Sequence, residues 1–199
     1  MALSGSSLSD TLFLLRQSKG NVGENLKDLT DTIGKGTVNS VVGKPFLTID
    51  TGSGVAPGTG TGAGLLLIPG NISSILLLAS IASFGGMGED LPGFCDDVEN
   101  SVILEMSKAT LSSLHPAVYL GVGSIVPGSI PVTSVEITSQ ILIEGLSANL
   151  LGLLFPSFAS ALGTGIAAGF LTAGGQVTIS GSPPPVPTPG AGAGTGVIS

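Results

Sequence analysis

The chain has no Trp, one Tyr, one Cys and one His. A lone cysteine, Cys95, excludes an intrachain disulfide and any multi-cysteine zinc site. The lone histidine, His115, precedes a proline, and no Ser–His–Asp arrangement can be argued around it from the sequence. Charge is scarcer still: 10% of residues are Asp, Glu, Lys or Arg, against about a quarter in an ordinary soluble domain. From Ala109 to Ser199 only Glu136 and Glu144 are charged. All bases but Lys108 (Arg16, Lys19, Lys27, Lys35 and Lys44) lie near the start, so no Lys/Arg cluster is available to neutralise phosphates and nucleic-acid binding is excluded. The opening segment lacks a basic stretch followed by a long apolar one, so no secretory leader is expected and synthesis in a cytoplasm is.

Glycine (32 residues), proline (13) and small aliphatic side chains take the place of what is missing. With 199 residues the chain can bury a core, but a lean one. An uncharged second half needs cover, from neighbouring protein subunits or from lipid.

An internal duplication organises the chain. A shift of 64 places Leu91, Pro92, Phe94, Val98, Val102, Met106 and Ala109 on Phe155, Pro156, Phe158, Leu162, Ile166, Phe170 and Ala173. Apolar residues at steps of four describe one helix face, and each proline falls where a first helical turn tolerates it. Upstream, a shift of 71 places Pro45, Leu47, Ile49, Gly52, Ser53 and Val55 on Pro116, Val118, Leu120, Gly123, Ser124 and Val126. A partial third copy follows, the segment from Leu47 echoing that from Val177. The pattern predicts an α+β fold: a polar helical segment over 1–44, one module of short strand, Gly/Pro loop and two helices over 45–114, a second module with a closing strand over 115–181, and an extended tail over 182–199.

Thr133 followed by Glu136 is a capping box, opening a helix whose apolar face runs Ile137, Ile141, Leu142, Leu146, Leu150 and Leu153 as far as Pro156. Gly145 is a weak point within it. Asn71 caps a run from Ile72 to Phe84, closed by Gly85, Gly86 and Gly88. Ser9 or Asp10 starts a short helix through Leu15, and Asn21 to Ile33 forms an amphipathic one with Val22, Leu26, Leu29 and Ile33 on one face. The last segment, with Pro183 to Pro185 and a Gly/Ala end, has the composition of a polyproline-like tail, whose order requires contacts outside itself, most simply an adjacent copy. Strands Leu47–Thr51 and Val118–Val122 are the expected acceptors for edge pairing with Val177–Ser180, in a small mixed sheet.

Few motifs carry chemistry. Leu47 to Ser53 reads Leu-Thr-Ile-Asp-Thr-Gly-Ser and resembles the active-site segment of aspartic proteases, which implies Asp50 as one of two catalytic carboxylates. The duplicate offers Gly121 in its place, so only a homodimer would complete the pair. Otherwise Asp50 ends a strand and bonds its own backbone in a turn. Gly58 to Gly64 lacks both P-loop and dinucleotide spacing and reads as a linker. Cys95, Asp96, Asp97 and Glu99 form an acidic patch, read as acids at the positive end of the Pro92 helix, with Cys95 a small packed position. No catalytic, cofactor-binding or metal-binding residue is assigned, and no enzyme activity is expected.

Between protein and lipid as cover, lipid has Gly145–Gly175 and Ala63–Met87, both uncharged, and a Gly165-x-x-x-Gly169 pattern. Pro156, Asn149, Gly152 and Gly163 break the first run, and no flanking bases set an orientation. Protein cover accounts for small residues and missing charge together. In its acidic, Lys-poor, Gly/Ser/Thr-rich composition, duplicated modules and extended terminus, the chain resembles structural proteins of bacteriophage particles. That resemblance implies a non-enzymatic virion subunit of tail, baseplate or neck, made in the host cytoplasm, with itself and other virion proteins as partners. A small membrane-embedded pore or lysis-type protein is the alternative, and a homodimeric aspartic protease using Asp50 the third reading.

Overall fold

The computed structural model describes residues 3–18, 25–54, 59–67, 78–79, 81–82, 91–126, 128–148, 152–171, 173–182 and 189–198. Helices α1 (Gly5–Ser18) and α2 (Leu26–Val41) precede strands β1 (Pro45–Ser53) and β2 (Thr59–Leu67). Helix α3 (Leu91–Met106) precedes β3 (Thr110–His115) and β4 (Leu120–Ile125). Helices α4 (Ser134–Ser147) and α5 (Phe155–Phe170) precede β5 (Gly174–Ser182) and β6 (Pro189–Ile198). The α+β expectation holds, and the strands close into an antiparallel barrel in the order β1-β4-β5-β2-β3-β6, with β6 returning to β1.

The organising unit is a helix followed by two strands, present three times, and in the first and last copies a further helix precedes it. Helices α2, α3 and α5 each have sixteen residues, and each is followed by its strand after the same short gap. Their buried positions match one for one: Ile33, Val98 and Leu162; Thr37, Val102 and Ile166; Val41, Met106 and Phe170. Helices α1 and α4 match likewise, both fourteen residues long. Between them in sequence, Leu78, Ala79, Ile81 and Ala82 are helical, and the rest of the expected 72–84 helix lies outside the described residues. Exchanging β1 for β3 for β5, and β2 for β4 for β6, maps the barrel order onto itself. The register obeys the same operation. Thr48 faces Ile125 and Gly194, Ser113 faces Gly196 and Gly62, and Val177 faces Gly64 and Gly123.

The shift of 64 between Leu91–Ala109 and Phe155–Ala173 is therefore a true equivalence. The shift of 71 is not, because β1 and β4 are bonded neighbours rather than counterparts. The counterpart of β1 is β3, which the sequence left unassigned, and β2 runs through the segment read as a Gly-rich linker. In β2 the inward glycines hide the strand, since alternating glycine with small residues leaves no apolar alternation to detect, and in β3 the adjacent Ser112 and Ser113 between Leu111 and Leu114 break the alternation. The residues 1–44 are the helices of the first repeat, its core face obscured by Thr30 and Thr37 where the other copies have Cys95 or Ala159 and Val102 or Ile166.

The helices form a layer over one end of the barrel, and one apolar core joins them to Phe46, Leu66, Leu111, Ile125, Val177 and Ile198. Several helix limits differ from the expected ones for a common reason, close backbone approach. Helix α2 continues past Ile33 because Gly34 lies against Gly5 and Ser9 of α1 and Gly36 against Ile141 of α4. Gly145 is where the Phe155 ring packs, a Cβ there lying 2.3 Å from it. Helix α4 ends at Ser147, so Leu146 and Leu153 face solvent and the buried face is Ile137, Ile141 and Gly145. Its capping box is present, Glu136 N–H donating to Thr133 Oγ1 at 3.2 Å and Thr133 N–H to Glu136 Oε2 at 3.1 Å. Helix α1 extends from Gly5 to Ser18 rather than starting at Ser9. In α2, Leu26 and Leu29 are partly buried and Ile33 fully, while Asn21 and Val22 lie outside the described residues.

The last segment is strand β6 over 189–198, held by its own chain between β1 and β3. Contacts from another copy are not what orders it; backbone pairing does, and that needs no side chains. Strand β5 pairs with β4 and β2, not with β1, and every pairing in the barrel is antiparallel.

Candidate functional site

The barrel interior contains a polar layer on its axis. Strand β1 alternates so that Phe46, Thr48 and Asp50 point inward, and β3 turns Leu111, Ser113 and His115 inward in the same way. Asp50 Oδ2 lies 2.6 Å from His115 Nδ1, His115 Nε2 lies 2.6 Å from Ser113 Oγ, and Thr48 Oγ1 lies 2.6 Å from Asp50 Oδ1. The backbone N–H of Gly194 donates to Thr48 Oγ1 at 3.1 Å. With Asp50 as acceptor from both Thr48 and His115, Nδ1 carries the imidazole proton and Nε2 accepts from Ser113, so the chain of donors closes with no conflict.

Three symmetry-related glycines make room for the imidazole. A Cβ added at Gly62 would lie 2.5 Å from His115 Nε2, one at Gly194 2.3 Å from Nδ1, and one at Gly123 3.2 Å from Cε1. His115 thus fills a space on the pseudo-three-fold axis that no other inward side chain could share. Its counterparts by the repeat are Asp50 and Ile179, and the counterparts of Ser113 are Thr48 and Val177. Two of three equivalent sites in each layer are polar and the third is aliphatic.

The connectivity Ser113–His115–Asp50 is that of a nucleophile, base and orienting carboxylate. Access is the missing element. Asp50 and His115 are each 1% exposed and Ser113 6%, and the Ser113 hydroxyl points inward over Gly62. Val118 and Tyr119, both buried, run across the barrel mouth beside Gly54, Gly60 and Gly192, and the helix layer covers the other end. A depression of about 610 Å³ is lined by Pro45, Thr61, Gly62, Ser112, Ser113, Leu114, Thr195, Gly196 and Val197, so it reaches Ser113, whose hydroxyl is held by His115 Nε2. The site is built as a satisfied interior network.

Sequence reasoning singled out Asp50 but placed it in a strand-ending turn, whereas it sits within β1 and its side chain bonds Thr48 and His115. Ser113 was missed altogether. The available signal was the spacing Asp50 to His115, one repeat apart, with Thr48 and Ser113 each two residues earlier. The acidic patch also resolves differently. No acid lies in the first turn of α3; Asp97 is buried and paired with Arg16 at 3.2 Å, and that guanidinium stands 5.6 Å over the Phe94 ring. Burial, with Asp96 nearby, pushes the Cys95 thiol up to about 11, so it is a packed, unreactive group. Among the described residues no cluster of His, Cys, Asp or Glu could hold a metal ion, and no helix is long and apolar enough to cross a membrane.

On the outside the barrel carries no charge, because Asp50 and His115, the only ionisable residues in the six strands, both point in. Leu114 on β3, Val197 on β6, Leu47 and Ile49 on β1, and Leu120 and Val122 on β4 are exposed and lie on consecutive strands. Strand β5 turns Gln176, Thr178 and Ser180 outward instead.

No protein-family model, curated protein or solved structure matches this chain.

Proposed function

We propose that this chain is a non-enzymatic structural subunit that assembles with copies of itself through the uncharged wall formed by β3, β6, β1 and β4, in a bacteriophage particle as part of the tail, baseplate or neck. The observation that carries the reading is the uncharged barrel wall, on which six exposed aliphatic side chains of β3, β6, β1 and β4 are continued by Leu65 of β2. Contiguous apolar surface of that kind marks interaction sites in soluble proteins. Burying it against a second copy desolvates no ion, although each copy carries a net charge of −7. The virion assignment rests on composition: acidic, Lys-poor and rich in Gly. Made in the host cytoplasm, the chain would finish in the particle, with other virion proteins as further partners.

The membrane alternative draws on the same wall, but a pore would need an open lumen and this barrel is filled along its axis. Gln176, Thr178 and Ser180 would also face lipid. For the protease reading, both Asp50 oxygens are engaged inside the barrel, away from any partner's carboxylate. The test is the native mass and symmetry of purified full-length protein without detergent. A ring, tube or defined oligomer is expected, dissociated by Ile49→Lys or Val122→Lys while the circular dichroism is unchanged. A monomer at all concentrations, or a protein extracted only with detergent, overturns the proposal.

A further inference from the structure

The turn between α4 and α5 breaks the likeness of the three repeats. Immediately before α2 the sequence reads Glu24-Asn25, before α3 Glu89-Asp90, and before α5 Leu153-Leu154. Leu153 is 97% exposed and Leu154 57%. Both are held in place. They are the central residues of a turn in which the Phe155 N–H donates to the Gly152 carbonyl at 3.0 Å, and the Leu154 carbonyl accepts from the Phe158 N–H at 3.0 Å. Behind the turn the Phe155 ring sits against Gly145 and packs with Phe158, ring centroids 6.4 Å apart. Two leucines are thus presented to water on a braced support, at positions where the other repeats carry acids or an amide.

The same chain carries a matching concavity. The depression of about 610 Å³ opens to solvent through the exposed residues Pro45, Thr61, Ser112, Leu114, Thr195 and Val197, and none of its lining residues is charged. Leu153, being almost wholly exposed, does not fill the depression of its own chain. Charge narrows the choice of occupant. Each copy has a net charge of −7, so copies repel one another except through faces free of acids. No side chain after Glu144 is charged, which makes the leucine turn such a face, and the depression lies within the uncharged wall. An apolar knob and an apolar pocket on different parts of one molecule join copies by unlike faces.

We infer that the Leu153–Leu154 turn of one copy seats in the wall depression of a second copy. This rests on the assembly reading above and names what the wall meets. The contact buries the leucine pair without desolvating an ion, and its unlike faces are of the kind that build rings and filaments. It also accounts for leucine at the one turn of this kind where an acid is absent.

Two full-length variants test it, compared by native mass without detergent. Leu153→Glu/Leu154→Asn gives the third repeat the pair that the first carries, and Leu114→Glu puts an acid in the depression. Each alone is expected to lose the wild-type oligomer with circular dichroism unchanged. Mixed in equal amounts, they should form a species holding chains of both kinds, because each brings the face that the other lacks. Leu153→Ser/Leu154→Ser and Leu114→Ser repeat the comparison without added charge should an acidic variant lose its fold. A turn variant that keeps the wild-type mass, while Ile49→Lys dissociates the oligomer, overturns the inference and leaves the assembly reading standing. So do two variants that dissociate singly and stay apart when mixed. A wild type that is monomeric at all concentrations overturns both.

Discussion

Two sectors of one barrel solve the same packing problem with opposite chemistry. On β1 and β3 the axial layers hold Thr48 with Asp50 and Ser113 with His115; on β5 the equivalent positions hold Val177 and Ile179. The flanking positions follow the same register in every repeat, glycine at each except Ile125 beside Thr48. A backbone that accepts either an aliphatic pair or a hydrogen-bonded network does not need the network in order to fold. What the network adds is specificity: it ties β1 to β3 across β6, and its partners coincide only in one register.

The largest effect should come from charging the shared helical core. Val102→Asp and Ile166→Asp place an unpaired carboxylate at matched positions that are fully buried. Each should abolish cooperative unfolding or the fold itself, seen by circular dichroism and thermal melting. Equal failure in both supports the equivalence of the repeats; a tolerated Ile166→Asp breaks it.

Next come the single truncations Asp50→Ala and His115→Ala. Each strands a buried polar partner, at a cost of about 1–3 kcal/mol, and more where the group left behind is the Asp50 carboxylate, measured by urea unfolding. Neither should remove any hydrolytic activity, and an active-site-directed fluorophosphonate should leave Ser113 unlabelled. Labelling of Ser113 in native protein would show that the layer opens to solvent.

Gly194→Ala should cost less than those, yet clearly more than Gly152→Ala. The first Cβ would press on the His115 ring and on Thr48 Oγ1, whereas nothing lies within 4 Å of the second. Overpacking of this kind costs about 1–3 kcal/mol. Equal stabilities for the two variants would mean that the glycine cage around His115 is not tight.

The smallest effect is acid sensitivity in the helix layer. Burial alone would raise Glu105, but hydrogen bonds from Lys108, the Ser4 N–H and Ser7 hold its carboxyl below the ordinary value of 4.5. A carboxyl depressed in the folded state contributes stability that is complete above its unfolded value and is lost as the pH falls through its folded one. Stability should thus decline with acid below about pH 4.5, and Glu105→Gln should flatten that decline in urea midpoints taken across the range.

The fold was legible where side chains carry the pattern. The Pro92 and Pro156 helices, their shared apolar face and the Thr133–Glu136 cap all follow from residue type and spacing. The barrel was not legible, because half of its inward positions are glycine, and glycine reads as loop whether or not a neighbouring strand pairs with it. Helix α2 was cut short for a related reason: Gly34 and Gly36 are contact points for α1 and α4, not stops. For the axial layer the residues stood in view, but their meeting depends on strand order. Asp50 and His115 are brought together by β6, the segment whose composition suggested a free tail.

The account's central claim, that the Asp50–His115–Ser113 network is interchangeable with the aliphatic packing of β5, is tested most directly by Asp50→Val/Ser113→Ala/His115→Leu in the full-length chain. Removing these partners together leaves only the Thr48 hydroxyl without its acceptor, and it keeps the bond from the Gly194 N–H, so urea unfolding should find the triple variant more stable than either Asp50→Ala or His115→Ala, at the native mass of the wild type. A triple variant that unfolds below both single variants, or that loses its assembly while they keep theirs, would contradict the claim.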